Sequence, residues 1–306
     1  MVLLTGATGF VGRHIAARLV KEGWRVRCLV RDPARAPEFL RHHCELAQGD
    51  ARDPEATAGA ARGVEAIIHL IGIIRETKNA TFEDLHVGAT VNLLQAAQSN
   101  GVRRFAQMSA LGARADGPTP YLRTKWRGEE AVRASGLSYT IFRPSVIFGP
   151  EDEFINMLAR LARRMPLLPR FGRGRMQPIW VEDVATCFVR SLKDELTFGR
   201  SFALGGPEVF TLDQIIDLLC RLQGIGKPRV KPPWPLLKLG ARLIERLPGA
   251  PVTHDQLLML EEDNTCDISA MLGAFRIAPR RLEDYLRELL GIPAESAGAA
   301  KRKSAR

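Results

Sequence analysis

Three glycines fall three residues apart in the stretch TGATGFVG, Thr5–Gly12, close to the N-terminus. Glycine inside a helix or strand costs roughly 0.5–1 kcal/mol relative to alanine, so such a cluster needs a backbone reason. Val2, Leu3 and Leu4 before it read as a short buried strand. Phe10, Val11, Ile15, Leu19 and Val20 after it read as the apolar face of a helix. A strand, a glycine turn and a helix N-terminus make an anion site, because the first N–H groups of the helix have no internal partner. The spacing Gly6-x-x-Gly9-x-x-Gly12 suits a pyrophosphate. Gly6 allows the turn, Gly9 lets the backbone approach phosphate, and Gly12 lets the helix sit close on the sheet. The competing reading is a tight turn and nothing more. A second constellation is Tyr121-Leu-Arg-Thr-Lys125, which puts a phenol and an ammonium at i and i+4 on one helical face. Ser109, twelve residues upstream at the end of a strand, can converge with Tyr121 at the carboxyl edge of a sheet. The alternative there is a surface helix with a packed tyrosine and a solvated lysine.

The elements needed to position these groups are visible as an alternation. Apolar strands appear near VLLTG, WRVRCLV, CELAQGD, EAIIHLIG, RRFAQMSA and SYTIFRPSVIFG, with helical patterns over 12–22, 33–41, 54–61, 82–99 and 121–135. Strands separated by helices of this length predict right-handed crossovers and a parallel sheet covered on both faces. The expected fold is therefore α/β, a Rossmann-type doubly wound parallel sheet with a smaller, mainly helical C-terminal substrate lobe. After Pro150 the rhythm breaks: a helix over 154–164, the loop MPLLPRFGRGRMQP, then PIWVEDVATCFVRSL and SFALGG returning to the sheet, and afterwards four helical stretches, TLDQIIDLLCRLQ, WPLLKLGARLIERL, THDQLLMLEE and RRLEDYLRELL. We expect a nucleotide-binding domain over 1–150 joined by 177–205, a substrate lobe from 151–176 and 206–291, and a disordered basic tail over 292–306. Ligand is expected between the two parts, at the carboxyl ends of the strands.

With 306 residues, 45% of them hydrophobic, the chain is long enough for this two-part architecture. Five scattered cysteines without a C-x-x-C pair argue for a reducing compartment and against a disulfide scaffold or a zinc site. The first strand begins at Met1 or Val2, leaving no room for a signal peptide, and no apolar run reaches the ~20 residues of a membrane span. A cytoplasmic location is expected. The net charge of +10 comes partly from the tail cations Lys301, Arg302, Lys303 and Arg306 and otherwise from dispersed arginines, which does not make a nucleic-acid stripe. An anionic cofactor uses the charge better, as would an anionic membrane surface. For the latter, Lys238, Arg242 and Arg246 form a basic stripe beside Trp234, Leu237, Ile244 and Leu247, a helix that otherwise packs into its own domain. His42 and His43 beside Cys44 read as a solvated turn and not a metal site.

TGATGFVG, Gly49-Asp50, HLIG, NLLQAA, MSALGA, YLRTK, RPSVIFGP and QPIWVEDVA occur in the order of the short-chain dehydrogenase/reductase superfamily, which the chain resembles from Met1 to about Gly291. Through HVGATVNLLQAA, GPEDEFINMLARLARRMPLLP and GRGRMQPIWVEDVA it resembles the atypical, epimerase/dehydratase-like branch of the nucleotide-binding accessory subunit of respiratory complex I and its bacterial relatives. The resemblance implies Tyr121 as general acid/base at a substrate carbonyl or hydroxyl, Lys125 lowering the pKa of that phenol together with the oxidised nicotinamide and binding the nicotinamide ribose, and Ser109 hydrogen-bonding the reacting oxygen. It implies cofactor contacts at Gly6, Thr8, Gly9, Phe10, Val11, Gly12 and Arg13, at Arg31 and Arg35, at Asp50 and Ala51, at Leu70 and Gly72, at Lys125, and at Pro144 and Val146. Many relatives have an asparagine where this chain has His86, which sets the usual water-linked proton relay in question. Glu182 and Asp183 resemble an acidic pair that caps a helix, and His69 lies near the cofactor without a catalytic role. Asp50 either approaches the adenine edge or caps a helix.

NAD binders place a carboxylate after the second strand and NADP binders an arginine. Here Arg31 ends that strand, with Arg13 and Arg35 nearby and Asp32 as the dissenting carboxylate, so the reading is NADPH with NADH as the alternative. The function expected is an NAD(P)H-dependent oxidoreductase acting on an apolar carbonyl, hydroxyl or quinone-related substrate. The alternatives are a cofactor-holding scaffold or assembly factor, and a nucleotide-sugar epimerase or dehydratase.

Overall fold

A computed structural model describes residues 1–170, 174–230 and 254–293. Seven parallel strands form the central sheet: β1 (Val2–Thr5), β2 (Val26–Val30), β3 (Glu45–Gln48), β4 (Ala66–His69), β5 (Arg104–Met108), β6 (Ser138–Pro144) and β7 (Arg200–Leu204), in the order β7-β6-β5-β4-β1-β2-β3. Sequence order reverses between β1 and β4, where Thr5 lies opposite His69. In an open α/β sheet this switch point leaves a crevice at the strands' carboxyl ends.

Helices cover both faces. Against one face pack α1 (Phe10–Lys21) and α7 (Val181–Ser191), joined by the short helices α2 (Glu38–His43) and α10 (Ser269–Phe275). Against the other pack α3 (Pro54–Ala60), α4 (Ala89–Ser99) and α5 (Pro120–Ala134). The inner strands bury nearly every residue, as a sheet with two covered faces requires: Val2, Leu3, Leu4, Ile67, Ile68, Phe105 and Ala106 are 0% exposed, whereas the edge strand β3 has no buried residue. A third apolar cluster joins α6 (Phe154–Arg164), α8 (Leu212–Gln223) and α11 (Leu282–Leu289) into the smaller lobe, and α9 (His254–Met259) precedes the segment that returns to the sheet.

Four local expectations change. The pattern over 33–41 is a 3₁₀ turn, Pro33–Arg35, followed by α2, because Pro37 drives Ala36 into extended backbone (ψ 145°). The pattern over 82–99 begins as a π-turn, Glu83–Gly88, and becomes α-helical only at Ala89. The run SYTIFRPSVIFG stops pairing in the main sheet at Pro144, and Ile147–Phe148 pairs instead with Ile179–Trp180. Glu182 and Asp183 do not cap α7, whose N-cap Trp180 receives no side-chain bond. They sit in its first turn, Glu182 bonding His14 Nδ1 and Asp183 accepting the Arg280 N–H at 2.9 Å. The proposed amphipathic stretch around Trp234 and the basic tail beyond residue 293 lie outside the described residues.

Candidate active site

The glycine turn is built as the spacing requires. Gly6 has φ +75°, a left-handed conformation that disfavours any side chain. A Cβ on Gly12 would lie 2.1 Å from the Gly6 carbonyl oxygen, so nothing larger fits where α1 presses on the turn, whereas at Gly9 the nearest atom would be 3.3 Å away. Gly9 is the N-cap of α1 and supplies no side-chain acceptor. The orphan N–H groups of the first turn therefore remain available to an anion. Gly149 approaches Phe10 from the other side of the crevice, a Cβ there meeting the ring at 3.0 Å. These features fit a dinucleotide pyrophosphate.

The second phosphate question is clarified by Asp32. Its carboxylate accepts the Ala34 N–H at 3.0 Å and caps its own turn. Arg31 and Arg35 are exposed and have no ion-pair partner among the described residues. Arg13 differs from expectation: it pairs with Glu151 at 2.8 Å. Asp50 is not a helix cap, since Asp53 caps α3. Arg52 grips the Asp50 carboxylate at 2.7 and 3.1 Å and holds it below the usual carboxylate range.

Beyond the switch point, β4 exits through Leu70 and Gly72, and β5 ends at Met108 beside Ser109. Lys125 is buried and donates from Nζ to the Met108 carbonyl at 2.6 Å, which brings the ammonium to the strand end that carries Ser109. The Ser109 hydroxyl is buried without a partner among the described residues, although its backbone N–H is bonded to the Phe142 carbonyl. A buried hydroxyl left unpaired is costly, and here it is the kind of group a bound substrate oxygen satisfies. Burial lowers the Lys125 ammonium to about 8 and raises the Tyr121 phenol to about 12. Lys125 is turned to Met108, and desolvation dominates at both groups.

Lys125 yields a testable linkage. Its unfolded value of 10.5 exceeds its folded value of about 8, so the unfolded chain binds more protons between those limits and wild-type stability gains with rising pH. Raised cysteines and Tyr121 act in the opposite direction, so the comparison with Lys125→Met isolates the effect. Between pH 7 and 10 the wild type should gain about 2–3 kcal/mol on the variant, at 1.36 kcal/mol per pKa unit. Chemical denaturation of both proteins at the two pH values measures it, and a constant difference would show that Lys125 is not desolvated.

Two buried histidines stand behind these groups. His69 bonds Thr5 Oγ1 at 2.8 Å and Thr90 Oγ1 at 3.1 Å, and burial lowers it to about 3. His86 accepts the Ile73 N–H at Nε2 (3.1 Å), meets Thr124 Oγ1 at Nδ1 (2.9 Å), and is also lowered to about 3 by burial. Its ring lies edge-on to Tyr121 with centroids 5.4 Å apart.

Tyr121 opens onto a cavity of about 400 Å³ between the sheet's carboxyl edge and the smaller lobe. Ala110, Leu111, Leu122, Pro144 and Val146 line it from the sheet side, and Phe154, Met157, Met176, Met259 and Leu260 from the lobe. One wall is fastened by polar contacts. Arg114 forks onto Glu262 at 2.8 and 3.0 Å, Arg175 pairs with Asp263, and Ser145 donates to Asn264, whose amide reaches the Leu111 carbonyl at 3.3 Å. No spacing rule connects Ser145 to Asn264, 119 residues apart, so these residues carried no signal in the sequence. The RPSV segment divides: Pro144, Ser145 and Val146 face the cavity, whereas Arg143 binds the buried Glu129.

Glycine cradle, uncapped helix and switch point agree with sequence comparison: residues 6–195 match the family described as NAD(P)H-binding. The chain belongs to this NAD(P)H-binding family. The chain is 31% identical over 304 residues to the mitochondrial NADH dehydrogenase [ubiquinone] 1 alpha subcomplex subunit 9 of Arabidopsis thaliana, covering 95% of this chain and 75% of that protein. It is 37% identical over 190 residues to a ceramide reductase of Caulobacter vibrioides, covering 62% of this chain and 60% of the relative. Among solved structures, a triphenylmethane reductase of Citrobacter sp. superposes with a TM-score of 0.79 at 18% identity, covering 95% of this chain and 99% of that one, a likeness of fold alone. The NAD(P)H-binding chain contains no helix, among its described residues, long and apolar enough to cross a membrane.

Proposed function

We propose that this protein is an NAD(P)H-dependent reductase of an apolar carbonyl or quinone-like compound, held in the cavity beside Tyr121. The observation that carries the reading is a mostly apolar 400 Å³ cavity with the Tyr121 phenol on its wall; the unpartnered Ser109 hydroxyl lies at the end of β5, next in sequence to the cavity residue Ala110. Gly6, Gly9 and Gly12, with Thr8, Phe10 and Val11, would hold the pyrophosphate. Asp50 and Ala51 would border the adenine, and Leu70, Gly72, Pro144 and Val146 the nicotinamide. The bound dinucleotide supplies a hydride to the reacting carbon. Ser109 hydrogen-bonds the substrate oxygen, Tyr121 gives that oxygen a proton, and Lys125 binds the ribose hydroxyls. At neutral pH the phenol carries its proton, the state from which a donor to the substrate oxygen starts. The name of the Caulobacter relative, a ceramide reductase, supports an apolar substrate.

A nucleotide-sugar substrate fits less well. Arg175, the cation among the described cavity residues, is committed to Asp263 through both its backbone and its guanidinium. The likeness to a respiratory-complex subunit supports a second reading, in which the cofactor stabilises a scaffold, associated with a membrane complex, that does not turn over. Incubation with NADPH and a panel of quinones and long-chain ketones, following nicotinamide absorbance, separates the two: the reductase consumes NADPH with at least one of them, and the scaffold with none.

NADPH should bind more tightly than NADH, since Arg31 and Arg35 are free to meet a 2′-phosphate while Asp32 is spent on its turn. Losing a charge-assisted contact costs about 1.5–3 kcal/mol, so Arg31→Ala should narrow the preference roughly tenfold or more. Calorimetric titration of both proteins with both cofactors measures it. Equal wild-type affinities would remove the assignment.

A further inference from the structure

His86 is buried in the π-turn that opens the fourth crossover helix, and every bonding direction of its ring is fixed. The Ile73 backbone N–H can only donate, so Nε2 is the unprotonated nitrogen. Nδ1 therefore carries the hydrogen and gives it to Thr124 Oγ1, which in turn donates to the carbonyl of Pro120 or Tyr121. Ile73 stands between Gly72, which the His86 ring and the Lys125 ammonium flank, and Ile74, which lines the cavity. Thr124 lies in the helix that carries Tyr121 and Lys125. The same ring stacks on Phe82 at 5.4 Å and meets Tyr121 edge-on at 5.4 Å. One side chain thus touches the segment expected to border the nicotinamide, the cavity wall and the proton donor's helix.

We propose that His86 is a positioning residue that locks the Gly72–Ile74 segment to the first turn of α5, and that neither of its nitrogens is available to pass a proton to or from Tyr121 or Lys125. A relay through His86 would require breaking the bond from Ile73. The neutral ring accords with its surroundings: Lys125 and Tyr121 on α5 and His69 on β4 are titratable groups facing it, while Glu83 on its own turn is paired with Arg127. The catalytic part of the inference rests on the reductase reading; the tautomer does not.

Two measurements test it. In full-length protein with ¹⁵N-labelled histidine, the His86 ring should show the Nδ1–H tautomer from pH 5 to 9. An imidazolium or an Nε2–H ring in that interval would overturn the proposal, whether or not any substrate is found. On a substrate that is turned over, Thr124→Val, which keeps His86 but removes its acceptor, should lower kcat about tenfold and leave NADPH affinity within twofold. His86→Asn should do the same without changing the shape of the pH–rate profile. A changed profile in His86→Asn, or full activity in Thr124→Val beside an inactive but folded His86→Asn, would make His86 a proton carrier and refute the positioning role. If no substrate is turned over, the reductase reading fails and the tautomer measurement still decides the ring's bonding.

Discussion

Replacing Tyr121 by phenylalanine should lower kcat about 10³-fold while leaving cofactor affinity within a factor of two. General acid catalysis contributes about 10²–10⁴ in rate, and the hydroxyl acts on the substrate oxygen in the transition state. The ring itself stays, so its packing against Phe82 and His86 is retained and the fold should be unaffected. Stopped-flow or steady-state kinetics on any substrate found, with a parallel NADPH titration, measures both quantities. A fully active Tyr121→Phe protein would remove Tyr121 from the chemistry. A variant that loses cofactor binding in equal measure would point to a structural role for the hydroxyl.

The second large effect is expected at Gly12. In Gly12→Ala the new methyl would lie 2.1 Å from the Gly6 carbonyl oxygen and 2.7 Å from the Ala7 Cα, both backbone atoms of the turn itself. Neither can move without displacing α1 from β1. Overpacking of this kind costs about 1–3 kcal/mol and occasionally more. We expect a loss of about 3 kcal/mol in stability together with a loss of NADPH binding of 100-fold or more. Gly9→Ala is the informative companion. Its nearest contact would be 3.3 Å, so the fold should survive with a change under about 1 kcal/mol while binding weakens, because the methyl occupies the side from which phosphate approaches. Denaturation curves and calorimetric titrations of the two variants give the contrast. If Gly12→Ala binds NADPH normally, the turn does not hold the pyrophosphate.

Both effects concern positions whose residue types already stood out in the chain, and the reason is local. A glycine turn between a strand and a helix, or a tyrosine and lysine one turn apart, is defined by backbone conformation over a dozen residues, and periodicity over such distances is written in the order of residues. The alternation of strands and helices likewise determined the parallel sheet, because a crossover of that length returns the chain only one way. Helix α6 begins and ends where its pattern does, at Phe154 and Arg164.

Tertiary structure decided what depends on partners far apart in the chain. Proton affinities at Tyr121 and Lys125 follow from burial under elements that are distant in sequence, which raises the phenol and lowers the ammonium. Arginines could be counted in the chain, but Arg13 proved to belong to Glu151, 138 positions on, and Asp32 to its own turn. His86 could be recognised as an unusual residue; only the approach of the Ile73 N–H and Thr124 assigned its hydrogen. The cavity wall formed by Ser145, Arg175, Glu262 and Asn264 arises where the end of β6 meets a segment more than a hundred residues later. Local conformation is a property of neighbouring residues and can be read from their order, whereas desolvation, ion pairing and cavity shape are set by which distant segments the fold brings together.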